Sequence, residues 1–197
     1  MSASQSTTSP EPRLYLALVH YPVKDRAGAT VTTSVTNLDV HDIARSARTF
    51  GVRRYYVVTP IELQHTLVRR ILDHWTTGAG RKRMPERWEA LSLVDPVLGL
   101  DDALADIERR EGVRPKLVVT AARAPKDRSV TPVAEMRGWL ADRAQPYLLI
   151  FGTGHGLSES LLTSADHQLE PLDSGTGYNH LSVRAAAAIY LDRLLGR

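Results

Sequence analysis

Apolar residues cluster along this chain in short runs separated by longer stretches of helical spacing. Leu14–Val19 reads LYLALV, an uncharged run of the length a buried strand needs. Residues 37–50 then place Val40, Ile43, Ala44, Ala47 and Phe50 near one helical face, and Gly51 is a natural C-terminal stop. The alternation continues. Residues 55–58 form a second strand, and 61–75 a second helix with Leu63, Leu67, Val68, Ile71 and Leu72 as its apolar positions. Residues 78–87 read as a loop, 91–94 as a strand, 101–110 as a helix and 117–120 as a strand. A helix over 133–143, a strand over 147–151, a short strand over 168–172 and a closing helix over 181–195 complete the series. Strands alternating with helices predict an α/β fold in which helices cover both faces of a parallel sheet, a three-layer α/β/α sandwich.

A chain of 197 residues fits one domain with a substantial core. Neither a repeat nor a shift in composition divides it, so residues 13–197 are expected to be one domain. The first dozen residues, MSASQSTTSPEP, lack the basic start and apolar core of a secretory signal and read as a disordered polar tail. No apolar run approaches the roughly 18 residues of a membrane span. With no cysteine, the chain has no disulfide, thiolate zinc site, iron–sulfur cluster or cysteine nucleophile. A cytoplasmic location is expected. The formal charge of +3 is a mild basic excess, compatible with a polyanionic partner but not diagnostic of one.

Candidate chemistry concentrates in the last third. Gly152, Gly154 and Gly156 follow the strand at 147–151, an order that suits a backbone cradle around a ligand. Their G-x-G-x-G spacing is neither the dinucleotide G-x-G-x-x-G nor a Walker loop, which needs a following Lys-Ser/Thr. A tight turn demanding positive φ explains them equally well. A second small polar loop, Asp173-Ser174-Gly175-Thr176-Gly177-Tyr178-Asn179, runs into the closing helix, with Asn179, Ser182 or Thr176 as its cap. Two such loops side by side make a pocket largely of peptide groups, suited to a nucleotide-like cofactor.

Three segments resemble motifs of the SPOUT, or α/β-knot, RNA methyltransferases. Leu149-Ile150-Phe151-Gly152-Thr153-Gly154-His155-Gly156-Leu157 is similar to L-[FI]-G-[ST]-E-x-x-G-L. Leu169-Glu170-Pro171-Leu172, with Asn179-His180-Leu181-Ser182-Val183-Arg184-Ala185-Ala186-Ala187-Ala188-Ile189, resembles I-P-M…S-L-N-V-S-V-A-x-A-I. Asn37 and Ile43-Ala44-Arg45-Ser46-Ala47-Arg48-Thr49-Phe50-Gly51 echo N-x-G-x-I-A-R-[TN]-A-x-[AT]-F-G. The nearest likeness is to a small bacterial branch related to the extra C-terminal domain of some tRNA guanine-N1 methyltransferases. Two departures stand out: Gly154 replaces the usual acidic residue, and the Asn37-to-Arg45 spacing differs from the motif.

The resemblance implies a deep C-terminal trefoil knot, S-adenosylmethionine bound within it, and a homodimer that methylates tRNA or rRNA. It implies cofactor contacts at Thr120, Ala121, Phe151, Gly152, Thr153, Gly154, Leu169, Leu172, Gly177, Asn179 and Leu181. A valine at Gly152 is then expected to fill the cradle. Arg45 takes the family's arginine position and is a candidate catalytic residue, as is His20 at the end of the first strand. His41, His155 and His180 are weaker candidates, and their spacing forms no helix-borne metal motif, so no metal is expected. Asp42 and Arg45 stand at i,i+3 and are expected to pair. Arg81-Lys82-Arg83, near Trp75 and Trp88, is a candidate RNA-binding cluster, with a solvated basic loop as the simpler alternative. Rival readings are a catalytically silent RNA-binding module of the same fold and a nucleotide-binding oxidoreductase.

Overall fold

The computed structural model describes residues 11–77, 80–125 and 129–197, so most of the expected tail lies outside the described residues. Strand β1 (Leu14–Val19) is followed by a small antiparallel hairpin, β2 (Val23–Lys24) and β3 (Thr30–Val31). Then come α1 (Asn37–Thr49), β4 (Tyr55–Val58), α2 (Glu62–Thr76), α3 (Gly80–Arg83) and α4 (Pro85–Leu91). The middle of the chain gives β5 (Val94–Val97), α5 (Leu100–Glu111), β6 (Lys116–Val119) and α6 (Val133–Asp142). It closes with β7 (Tyr147–Gly152), α7 (Glu159–Ser164), β8 (His167–Gln168) and α8 (Val183–Leu195).

Six strands form one sheet in the order β5-β4-β1-β7-β6-β8, every pairing parallel. β1 lies centrally, with Leu14 opposite Tyr147 and Val19 opposite Gly152. Its side chains alternate between two cores, as strand geometry requires. Leu14, Leu16 and Leu18 face a core completed by α1, α2, α4, α6 and α8. Tyr15, Ala17 and Val19 face a second core built with α5 and α7. All six are buried on the two faces, each large side chain stabilising the fold by about 2 kcal/mol. The layered α/β arrangement therefore stands.

The structure corrects the reading of 78–94. Residues 80–83 and 85–91 are helical rather than loop, and the next strand starts only at Val94. Pro85 sits at the first turn of α4, where its fixed φ favours a helix, and Ala90 and Leu91 are buried against α1. The β2–β3 hairpin and α7 were not read from the sequence, because two-residue strands and a six-residue helix carry too few positions for a period. β8 is shorter than the expected 168–172 strand; beyond it Leu169 keeps only an isolated bridge to Thr131.

Candidate functional site

The C-terminal ends of β1, β6 and β7, and the segment leaving β8, meet at one edge of the sheet. β7 runs into a turn in which Gly154 has φ +60° and Gly156 φ +102°, conformations that favour glycine. The hairpin braces this turn: His155 N donates to Lys24 O at 2.9 Å, and Lys24 N donates to Gly156 O at 2.8 Å. A Cβ on Gly154 would lie 3.1 Å from Lys24 O, so the hairpin occupies the space where the motif's acidic side chain would begin. Gly152 serves a different need. Its Cβ would meet the Leu157 backbone nitrogen at 2.8 Å, so a valine there collides with the turn instead of filling a ligand cradle. That corrects the expectation for Gly152.

β7 and β8 are not neighbours; β6 lies between them. The end of β6 therefore enters the site as a third wall, with Thr120 Oγ1 donating to Ile150 O at 3.0 Å. Beyond β8, Glu170 Oε1 accepts from Val133 N at 2.9 Å, and Tyr190 OH donates to Glu170 O at 2.8 Å. Of the three expected caps, Ser182 is the one used: its hydroxyl accepts from Ala185 N at 3.3 Å to start α8. Asn179 instead reaches across, its amide donating to Ala122 O at 2.7 Å.

These loops enclose an open cavity of about 1280 Å³. Thr120, Ala121, Phe151, Gly152 and Thr153 line it, as do Gly154, Leu172, Asn179 and Leu181. Nine of the eleven expected cofactor residues thus come together. The other two do not join the wall. Leu169 is fully buried, its N–H spent on Val119 O at 3.0 Å, and Gly177 lies in an exposed turn with φ +77°. His155 and His180 both reach the wall.

The side facing α1 and α8 is polar and was not foreseen. Asp39, buried in the first turn of α1, accepts at Oδ2 from Thr36 Oγ1 at 2.7 Å. Its Oδ1 lies 3.5 Å from the Arg184 guanidinium and has no hydrogen-bond partner among the described residues. Asp42 also pairs with Arg184, at 3.6 Å, rather than with Arg45. A sequence signal for Asp39 existed. It stands six residues before Arg45, the spacing at which the motif has its Asn, whereas Asn37 stands eight before.

The two candidate catalytic residues are placed elsewhere. Arg45 is exposed on α1 and off the cavity wall. His20 is fully buried, with Thr33 between it and the cavity; its Nδ1 lies 3.1 Å from Thr33 Oγ1. Burial pushes the imidazole down to about 4, against a smaller opposing pull from Asp39, so it is neutral near pH 7. Thr153 donates to Val19 O at 3.0 Å, which leaves Thr33 to donate to Thr153 and His20 Nδ1–H to donate to Thr33. His20 thus holds the glycine turn through two hydroxyls. His41 packs edge-on to Trp75 with ring centroids 5.8 Å apart, and burial lowers its pKa. Arg81, Lys82 and Arg83 are exposed on α3, away from the cavity wall. Arg81 lies over the Trp88 ring at 4.4 Å and Arg87 over Trp75 at 4.6 Å, so each indole carries a guanidinium.

A family model described as SAM-dependent RNA methyltransferase matches residues 13–196. The chain belongs to that family. It is 48% identical over 187 residues to a tRNA (guanine-N(1)-)-methyltransferase of Oleidesulfovibrio alaskensis, covering 95% of this chain and 43% of the relative. A similar relation holds to the same-named protein of Nitratidesulfovibrio vulgaris, 48% over 191 residues, covering 97% of this chain and 44% of that one. The chain therefore spans less than half the length of those relatives. It is also 41% identical over 184 residues to an uncharacterized protein of Aquifex aeolicus, covering 93% of this chain and 89% of that one.

Solved structures share the fold at low identity. The A. aeolicus TrmH/SpoU tRNA modifying enzyme aligns with TM-score 0.54 and 16% identity, covering 94% of this chain and 75% of that one. The SpoU methyltransferase AviRb of Streptomyces viridochromogenes, in complex with AdoMet, aligns with TM-score 0.55 and 19% identity, covering 99% and 62%. S-adenosylmethionine is the family's cofactor and RNA its substrate class.

The residues lining the cavity fit such a cofactor. Leu157, Leu172 and Leu181 offer apolar surface for a purine face, and the loop peptides offer donors and acceptors for its edge. Gln168 Oε1, buried on the same wall, has no hydrogen-bond partner among the described residues, and an amino group would satisfy it. No helix among the described residues is long and apolar enough to cross a membrane.

Proposed function

We propose that the chain transfers a methyl group from S-adenosylmethionine to tRNA or rRNA, as a cytoplasmic homodimer whose domain spans residues 13–197. The observation that carries this reading is the convergence of nine resemblance-implied residues on one cavity at the strand ends. When bound, the cofactor supplies an activated methyl group, so the protein need only align the acceptor and handle one proton. The loops after β6, β7 and β8 hold the purine and ribose; Gln168 answers the purine edge, and Leu172 and Leu181 cover its faces. Arg45, exposed on α1, is free to meet RNA phosphate or a second protomer. The exposed Arg81, Lys82 and Arg83 on α3 provide a further grip on phosphate.

The trefoil knot belongs to this reading. The segment after β8 is tied to the one after β6 at both ends, by Asn179 to Ala122 O and by Glu170 to Thr131 O and Val133 N. A passage of one through the other is the arrangement these ties would fasten.

Calorimetric titration with S-adenosylmethionine tests the proposal, with NADH and ATP as controls. Selective binding near micromolar, about −8 kcal/mol, is expected. A folded protein that ignores the methyl donor yet binds RNA with steep salt dependence would instead be a silent RNA-binding module.

A further inference from the structure

The cavity holds a carboxylate for which the reading above has no use. Gly154 removes the acidic residue of the glycine-turn motif, and restoring one would strain a positive φ and press a Cβ to 3.1 Å from Lys24 O. Asp39 brings an acid to the cavity from α1, at the motif position that otherwise carries Asn. Only 7% of Asp39 is exposed, and its Oδ1 lacks a hydrogen-bond donor among the described residues. Thr36 fixes the other oxygen, so the side chain is held in one orientation. Glu159 is the wall's other acidic residue, but it is largely exposed and ion-paired with Lys24 at 3.7 Å.

We propose that Asp39 is a catalytic residue that takes the proton from the acceptor atom of the RNA. This rests on the methyltransferase reading and extends it to a class of acceptor: an atom that carries a proton, either a ribose 2′-hydroxyl or an imide-type ring N–H. The surroundings leave one carboxylate oxygen open to a donor. Arg184 already stands 3.5 Å from Oδ1, and Asp39 lies in the first turn of α1, at the positive end of the helix dipole. Asp42 shares the same arginine at 3.6 Å, so Arg184 is divided between two carboxylates and Asp39 Oδ1 keeps acceptor capacity for an incoming O–H or N–H.

The step balances. The acceptor's lone pair forms the new bond to the methyl carbon while the carbon–sulfur bond breaks, its electron pair going to sulfur. The acceptor's proton passes to Asp39 Oδ1, and the carboxyl group then releases it to solvent. Acceptors with a free lone pair and no proton, such as guanine N7 or adenine N1, have no need of such a group.

The test compares wild type with Asp39→Asn, which keeps the shape and an oxygen for Thr36. Total tRNA and rRNA from cells lacking the protein serve as substrate, with S-adenosylmethionine affinity measured separately by calorimetry. Asp39→Asn is expected to lower kcat by about 10²–10⁴-fold, with KM for RNA and cofactor affinity within about threefold of wild type. Mass spectrometry of the digested wild-type product should find the methyl group on an oxygen or an imide nitrogen.

Lost cofactor affinity in a folded Asp39→Asn protein would overturn the assignment by making Asp39 a cofactor ligand. Unchanged kcat would overturn it too, as would a 7-methylguanine or 1-methyladenine product. The product analysis needs no variant, so it decides even if Asp39→Asn fails to fold. A wild type that methylates neither RNA pool refutes the proposed function itself; wild-type turnover that the variant matches refutes only the role of Asp39.

Discussion

His20 is a buried imidazole whose two nitrogens have different fates. Nδ1 supports Thr33 and, through it, Thr153 on the cavity wall, while Nε2 has no hydrogen-bond partner among the described residues. Burial disfavours the cation, so the folded pKa falls from 6.5 to about 4. Between those values the unfolded chain binds a proton that the native one refuses. Stability is therefore full above pH 6.5 and falls as pH drops toward 4, by at most roughly 3 kcal/mol from this group. Urea unfolding of wild type and His20→Asn at about pH 7 and pH 4.5 should show the variant losing less stability than wild type on acidification. Equal losses would remove His20 as the source. Gly154 illustrates the same scale differently: one positive φ and one nearby carbonyl make an acidic side chain in the turn costly.

At the scale of elements, α8 is both core and cavity wall. Ala187, Tyr190, Leu191 and Leu194 are buried toward the sheet, while Val183, Arg184 and Ala186 line the site. The helix starts where Ser182 caps it, satisfying an N–H that would otherwise lack a partner. Ser182→Ala should cost about 1 kcal/mol, lowering the melting temperature by about 3 °C for a chain of this size. It should also weaken methyl-donor binding, since fraying the first turn moves Arg184 and Val183. A thermal scan with and without S-adenosylmethionine measures both; loss of stability with unchanged affinity would show that the first turn only supports the fold. The hairpin has a comparable role on the other side, pinning the glycine turn through the backbone of Lys24.

For the whole molecule, the sheet order puts two charged features at different places. The cavity opens at the ends of β6, β7 and β8, whereas the α3 cluster lies with α2 and α4, beyond α1 from α8. Binding a polyanion and binding a methyl donor should then separate. Charge reversal at Arg81 and Arg83, to Glu, is expected to weaken RNA binding and to reduce its log–log salt slope by about two. Methyl-donor affinity should stay unchanged. Filter binding across a salt series, with calorimetry alongside, checks both; an unaltered slope would leave α3 a solvated basic helix.

The hydrophobic pattern alone determined the layered α/β class and most strand and helix positions, because burial on both faces makes Leu14–Val19 a continuous apolar run while one buried face gives Val40–Ala47 helical spacing. The family resemblance likewise implied cofactor contacts at the glycine turn, the end of β6 and Asn179, and these line one cavity. The β2–β3 hairpin and the short helices α3, α4 and α7 stayed hidden, since two-residue strands and helices of one or two turns give no repeat to read. Tertiary structure alone decided that β6 separates β7 from β8, that Gly152 faces Leu157, and that Arg184 meets Asp39 and Asp42. It also sealed His20 behind Thr33 and left Arg45 outside. The reason is physical: periodicity records which residues are buried, whereas a site is made by pairs distant along the chain, and only the packing of α1 against α8 brings residue 39 to residue 184.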